Sequence, residues 1–200
     1  MRTLSTLLIA AFMGFATIAA AQAPAQRIRG DVVALDGNTL QVKTRGGEAV
    51  TVKLNDNFAV SAVAKRDLAA VVPGTFIGTA TMPQADGTQQ ALEVLIFPES
   101  ARGSGEGHYP WDLQPGSMMT NATVSEVVAH DTARKLTLKY KDGEKVVVVP
   151  PGTPVVTFEP GDRAMLVPGA HVMFGATRQP DGTLTAARVN VGKDGLVPPM

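Results

Sequence analysis

Val71–Phe97, VVPGTFIGTATMPQADGTQQALEVLIF, and Leu166–Val191, LVPGAHVMFGATRQPDGTLTAARVNV, are one segment written twice. They align without a gap: Val72-Pro73-Gly74 falls on Val167-Pro168-Gly169, Asp86-Gly87-Thr88 on Asp181-Gly182-Thr183, Ala91 on Ala186, and Val94 on Val189. The offset is 95 residues throughout (169 − 74 = 95), longer than a short solenoid repeat and about the size of one small domain. The chain reads as a duplicated domain.

Upstream of each copy the match continues with small register changes. Val32-Val33-Ala34 aligns with Val127-Val128-Ala129 at offset 95, and Leu40 and Val42 align with Leu136 and Leu138 at offset 96. Strand punctuation is clear in copy one: Ile28–Leu35, a turn at Asp36-Gly37-Asn38, Thr39–Thr44, a turn at Arg45-Gly46-Gly47, then Glu48–Leu54. Asp-Gly and Gly-Gly tolerate the positive φ of tight hairpins, and Val50-Thr51-Val52-Lys53-Leu54 alternates with the period of a half-buried strand. Copy two repeats this as Lys135–Tyr140 and Glu144–Val149, with Val146 and Val148 placed opposite Val50 and Val52. Asn55–Ala70 and Pro150–Met165 read as irregular, with room for one helical turn at Lys65–Val71. A Val-Pro-Gly turn, a strand, an Asp-Gly hairpin and a final strand (Gln89–Phe97 or Leu184–Val191) complete each copy.

Five or six short strands in about 70 residues avoid exposed edges best by closing on themselves. The predicted fold is all-β: two tandem small barrels, residues 28–97 and 123–191, OB-like in strand order or alternatively SH3-like. A Gly/Pro/aromatic linker at 98–122 joins them, and 192–200 forms a tail.

The chain carries 18 basic and 18 acidic residues, scattered, and no Cys. Disulfides, thiolate catalysis and cysteine-held metals are thereby excluded, as is a lipid anchor on cysteine. Residues 1–21 read as a signal peptide: Arg2, an apolar run from Leu4 to Ala20, and a small-residue close at Ala19-Ala20-Ala21. Cleavage before Gln22 leaves 200 − 21 = 179 residues near charge −1, since Arg2 leaves with the leader. The expected location is the periplasm, without stable membrane insertion after cleavage. Nucleic acid is not an expected partner, because phosphate binding needs concentrated Lys and Arg.

The motifs G-x-V (Gly30–Val32), D-G-N-x-L-x-V (Asp36–Val42), G-G-x-x-V-x-V (Gly46–Val52), V-P-G (Val72–Gly74) and D-G-T-x-x-A-x-x-V (Asp86–Val94) resemble an exported bacterial domain family of unknown function. Copy two departs at its opening, where Glu126 and Val127 stand in for Gly-x-Val. The resemblance implies a small barrel and an exported location, and brings no catalytic residues with it.

Glu99–Thr120, ESARGSGEGHYPWDLQPGSMMT, belongs to neither copy and holds the sole Trp of the chain. Its Gly and Pro content predicts a loop. One reading is an interdomain linker whose Tyr109 and Trp111 plug the barrels. The sharper reading is a ligand site formed by His108, Tyr109, Trp111 and Asp112. A metal alternative adds Glu106, Met118 and Met119 to His108 and Asp112, since His with carboxylates suits zinc and His with Met suits copper. Asn121-Ala122-Thr123 also fits a glycosylation sequon. No nucleophile, base or phosphate-loop constellation is present, so neither catalysis nor a cofactor is expected. The functional expectation is a non-catalytic cell-envelope binding or adaptor protein for a protein, peptide or glycan. Its alternative is a periplasmic metal-binding accessory protein built on the His108 loop.

Overall fold

The structure, a computed structural model, describes residues 25–130 and 133–200. The expected leader at 1–21 lies outside the described residues. Thirteen strands follow one another: β1 Gln26–Asp36, β2 Thr39–Thr44, β3 Ala49–Lys65, β4 Phe76–Pro83, β5 Gln89–Ala91, β6 Val94–Ile96, β7 Gly107–Pro110, β8 Met118–His130, β9 Ala133–Tyr140, β10 Gly143–Val149, β11 Val155–Pro160, β12 His171–Arg178 and β13 Leu184–Gly192. Four 3-10 turns are the helical content of the described residues, and no helix among them is long and apolar enough to cross a membrane.

The pairings close into rings, but not the expected ones. Strand β1 pairs with β2 and β12, β2 with β3, β12 with β13, and β13 returns in parallel to β3. This closed five-stranded barrel takes three strands from the first repeat and two from the second. A second ring runs β8-β9-β10-β5-β4 and back to β8, with β10–β5 parallel, and mixes the repeats in the opposite sense. The expectation that 28–97 and 123–191 each close as a tandem barrel is therefore corrected: the two segments exchange their last strands. Both cores are composite. One unites Ile28, Leu40, Val42 and Val52 with Phe174, Ala186 and Val189; the other unites Ile77, Ala91 and Val94 with Val124, Leu136, Leu138 and Val147.

The exchange is carried by two segments expected to be irregular. β3 runs on through Asn55 to Lys65, and Val155–Pro160 forms β11. These two crossings pair antiparallel, Ser61 with Pro160, Val63 with Phe158, and Lys65 with Val156. Val63 thus meets its own repeat counterpart (158 − 63 = 95), while Ser61 and Lys65 meet each other's counterparts. The flanking parallel pairs obey the same rule: Val155 lies beside Val94, and Val60 beside Val189. The chain has the local two-fold geometry of a strand-swapped dimer, written in one polypeptide.

Local chemistry explains the joints. Val72 O accepts from Thr75 N and Val167 O from Ala170 N, with Gly74 at φ +92° and Gly169 at +84°. These are type II turns, in which Pro presets the first central residue and Gly supplies the positive φ of the second. Each turn then grips the other repeat: Gly74 N donates to Val124 O, and Gly169 N to Val32 O. Ahead of each turn a 3-10 turn, Leu68–Ala70 or Arg163–Met165, is capped by Asp67 or Asp162, whose carboxylate accepts from Ala69 N or Ala164 N. Leu68 and Met165 of these turns close the mouths of the two cores.

Two alignments shift in space. Val124, not Val127, occupies the place of Val32: Val124 pairs with Leu138 as Val32 pairs with Val42, and each strand bulges at the next residue. Ala122-Thr123-Val124 therefore stands at the Gly-x-Val opening, and the β8–β9 hairpin extends two pairs further, to His130 with Ala133. In β10 the buried residues are Val147 and Val149, with Val146 and Val148 only half-covered, because Val147 lies beside Gln89 as Val52 lies beside Leu184. A one-residue slip in alignment moves every side chain to the other face.

Candidate functional site

The unduplicated segment is not a plain loop. Gly107–Pro110 forms β7 at the edge of the second ring, with His108 opposite Thr120 and Tyr109 opposite Met119. After it, Gln114-Pro115-Gly116-Ser117 makes another tight turn, Gly116 having φ +79° and Ser117 N donating to Gln114 O. The loop is closed by Trp111 N donating to Ser117 O and by the buried Ser117 hydroxyl against Trp111 O and Gln114 O. Strand alternation places Tyr109 on one face of β7 and His108 on the other.

On the outer face, His108 Nδ1 lies 2.9 Å from Thr120 Oγ1 and its ring stacks on Tyr140 at 6.4 Å. Burial, then the charge of Lys145, holds its pKa below the ordinary imidazole value. On the inner face, the Tyr109 hydroxyl accepts from Asn121 Nδ2 at 3.1 Å, and its ring lies 6.2 Å from Trp111. Burial pushes the Tyr109 phenol upward, against the charge of Arg27. Asp112 turns away toward β1 in the other ring, accepting from Arg29 at 2.7 Å with Arg27 at 3.5 Å. Burial acts upward on its carboxyl, but the Arg29 hydrogen bond and both arginine charges hold it below the usual carboxylate range. Arg27 also stacks over the Trp111 ring, 3.7 Å from its centroid. The arm thus leaves one ring at β7 and clasps the other at β1.

The metal set does not converge. Glu106 accepts from Lys141 N, His108 engages Thr120, Asp112 engages two arginines, and Met119 is buried on the face opposite His108. Among the described residues no three His, Asp or Glu side chains gather around one point. Asn121 is 7% exposed and donates to Ser104 O and Tyr109, which removes it as a glycan acceptor in the folded chain.

What the arm covers was not expected. Beneath Trp111 lies a cavity of about 140 Å³ at the seam between the rings. Its walls are Leu95 and Phe97 beyond β5, Phe158 of β11, and three methionines, Met119, Met173 and Met200, from three separate parts of the chain. Glu93, Asn121 and Trp111 complete it, with Gly78 at its edge. A Cβ on Gly78 would fall 2.5 Å from Asn121 Oδ1, so glycine is what admits the amide there.

Glu93 sits at the break between β5 and β6. The break puts Ala91, Val94 and Ile96 inside the ring and turns Glu93, Leu95 and Phe97 outward into the seam. Glu93 is fully buried, and its Oε1 accepts from Ala80 N at 2.8 Å. Burial pushes its pKa up to about 8, only partly offset by the Ala80 amide, so the side chain is neutral at pH 7. Its repeat counterpart, Arg188 (188 − 93 = 95), is exposed. Glu93 Oε2, Asn121 Oδ1 and Trp111 Nε1 are all buried without a protein partner, and all three side chains line this cavity. The sequence signal for it was a lone acid inside the apolar run Ala91–Phe97. No such signal marked Met173, Met200 or Phe158, which reach the cavity only through strand exchange. A scan against protein-family models, a search of curated proteins and a search of solved structures each found no match.

Proposed function

We propose that the chain is a non-catalytic binding protein of the cell envelope, built from two interlocked OB-like barrels, whose ligand occupies the cavity beneath Trp111. The observation that carries this reading is an apolar hollow of about 140 Å³ whose lining residues include Glu93, Asn121 and Trp111, each with a buried, unpartnered polar atom. A buried polar group without a partner costs about 1–3 kcal/mol, so three of them in the residues lining one hollow single this region out from the rest of the seam. The OB-like assignment is supported by the ring order β1-β2-β3-β13-β12, repeated as β8-β9-β10-β5-β4, in which the β3–β13 and β10–β5 pairs run parallel and the others antiparallel. The export reading is supported by the charge and hydropathy pattern of residues 1–21. A peptide, glycan or protein partner would meet this site through the Trp111 arm, since the hollow itself holds only a small group.

An apolar cavity of about 150 Å³ suffices to bind benzene. Benzene added to the leader-free protein carrying ¹³C-methyl methionine should shift the ε-methyl signals of Met119, Met173 and Met200 saturably, leaving Met82 and Met165 in place. Methyl signals that stay unmoved at benzene saturation would sink the cavity as a binding site.

A further inference from the structure

We infer that the first ring, β1-β2-β3-β13-β12, carries a carboxylate slot on its outer face between β12 and β13, which takes the glutamate side chain of an acidic peptide. The slot does not depend on the cavity beneath Trp111; the second ring supplies its template. There the ladder breaks where β5 gives way to β6: Thr81 pairs with Ala91 and Gly78 with Leu95, which leaves Thr79 and Ala80 outside the pairing. A carboxylate fills that break, since Glu93 Oε1 accepts from Ala80 N at 2.8 Å. The first ring breaks at the same place. Met173 pairs with Asn190 and Thr177 with Thr185, while Phe174, Gly175 and Ala176 have no registered partner in β13. Gly175 is the counterpart of Ala80 (175 − 80 = 95), and Arg188 is the counterpart of Glu93. The carboxylate that fills the break in one ring is thus replaced by a cation in the other.

Backbone direction, access and charge all suit an incoming carboxylate. Val32 N donates to Ala170 O, and hydrogen-bonded pairs alternate along an antiparallel ladder, so Arg27 and Gly175 form a non-hydrogen-bonded pair. The Gly175 N–H therefore points away from β1 and toward the break, as Ala80 N points away from its partner Met119. Gly175 is exposed, its φ is not positive, and the nearest atom to a Cβ built on it is 3.6 Å away, in ordinary contact. Neither the backbone nor the packing requires glycine there. A glycine inside a strand weakens it, and what this one leaves is unobstructed approach to the amide. An open hollow of about 660 Å³ lies over the break, and Arg188 is the one charged residue in its lining. Among the described residues Arg188 makes no ion pair. Arg27, the cross-strand partner of Gly175, puts a second guanidinium on the same face, one already shared with Asp112. A glutamate side chain entering here repeats the bond that Glu93 makes to Ala80 N, and Arg188 supplies the charge that burial under the arm makes unnecessary in the second ring.

The test uses ¹⁵N-labelled, leader-free protein at pH 7 and constant ionic strength. It is titrated with N-acetyl-glutamate N-methylamide, whose only charge is the side-chain carboxylate, and separately with the glutamine analogue and with inorganic phosphate. The signals read are the Gly175 amide and the Arg188 Nε–H. The glutamate compound should shift both saturably and bind roughly tenfold or more tightly than the glutamine compound, because hydrogen bonds to an ionised group are about twice as strong as neutral ones. Arg188→Met keeps an apolar stem at an exposed position, so it should leave the urea midpoint in place and abolish most of that preference. A Gly175 amide that stays silent, or that responds equally to all three compounds, overturns the slot. A full preference for glutamate in Arg188→Met overturns the assignment of the slot to a charged group held by Arg188.

Discussion

At the scale of single residues, Glu93 and Arg188 occupy one repeat position and meet opposite fates. Arg188 remains exposed, whereas Glu93 is sealed under the arm and kept neutral by burial. The sign of the pH effect follows. An acid whose folded pKa lies above its unfolded value binds its proton more tightly in the native state, so stability is full below about 4.5 and is lost as pH climbs toward about 8. Glu93→Gln keeps a neutral hydrogen-bonding side chain and has no such slope. Across that window, wild type should lose a few kcal/mol relative to Glu93→Gln, measured by urea unfolding at a series of pH values. Parallel curves would show that Glu93 is not held protonated. Gly74 and Gly169 supply a second test. Nothing lies within 4 Å of a Cβ at either, so any cost of Gly→Val is one of backbone conformation. At φ +92° and +84° that cost should be about 1–3 kcal/mol each, seen as a lower denaturation midpoint.

Among elements, the arm from β7 to Ser117 decides how the seam is covered. Its ion pairs are worth little by themselves, since the Asp112 side chain is 46% exposed and such pairs contribute about 0–1 kcal/mol. The cation–π contact of Arg27 adds about 0.5–1 kcal/mol. Burial of the Trp111 ring is the larger effect, at about 1.5–3 kcal/mol. Trp111→Ala should therefore release the arm and open protease sites within residues 99–120, while Asp112→Ala should change digestion little. Equal digestion of wild type and Trp111→Ala would mean that the arm is not held by its tryptophan. This element was half legible in the sequence. Its Gly and Pro content marked a loop, and the tight turn at Gln114–Ser117 lies within it, but the edge pairing of β7 had no local signature, because four residues beside an existing strand need no alternation of their own.

For the molecule as a whole, the exchange of strands is the defining feature, and its two crossings lie side by side. Ala62 and Glu159 are direct antiparallel partners there, a geometry that brings Cα atoms within about 5.5 Å and suits a disulfide. The natural chain has no Cys, so Ala62→Cys with Glu159→Cys introduces the sole thiols. Oxidation should yield a monomeric, cross-linked product, identified by its bridged peptide in mass spectrometry. Two separate tandem barrels would leave these positions apart, and the monomer would then stay reduced.

The sequence by itself determined where most strands lie and which residues make the turns, because alternation, Asp-Gly hairpins and Val-Pro-Gly turns act over a few neighbours. Leu40, Val42, Val52, Val94, Leu136, Leu138 and Val189 were readable as core for the same reason. Only the tertiary structure decided which repeat each final strand serves. The two segments share a strand plan, so each offers β3 a partner strand of similar backbone geometry, and local pattern does not choose between tandem and exchanged forms. The difference lies in whether residues 55–65 and 155–160 fold back or run straight. They run straight, paired about Val63 and Phe158. The cavity follows from that choice: Glu93, Asn121, Phe158, Met173 and Met200 are brought together by the crossing and by the arm, contacts between distant segments that no local pattern encodes.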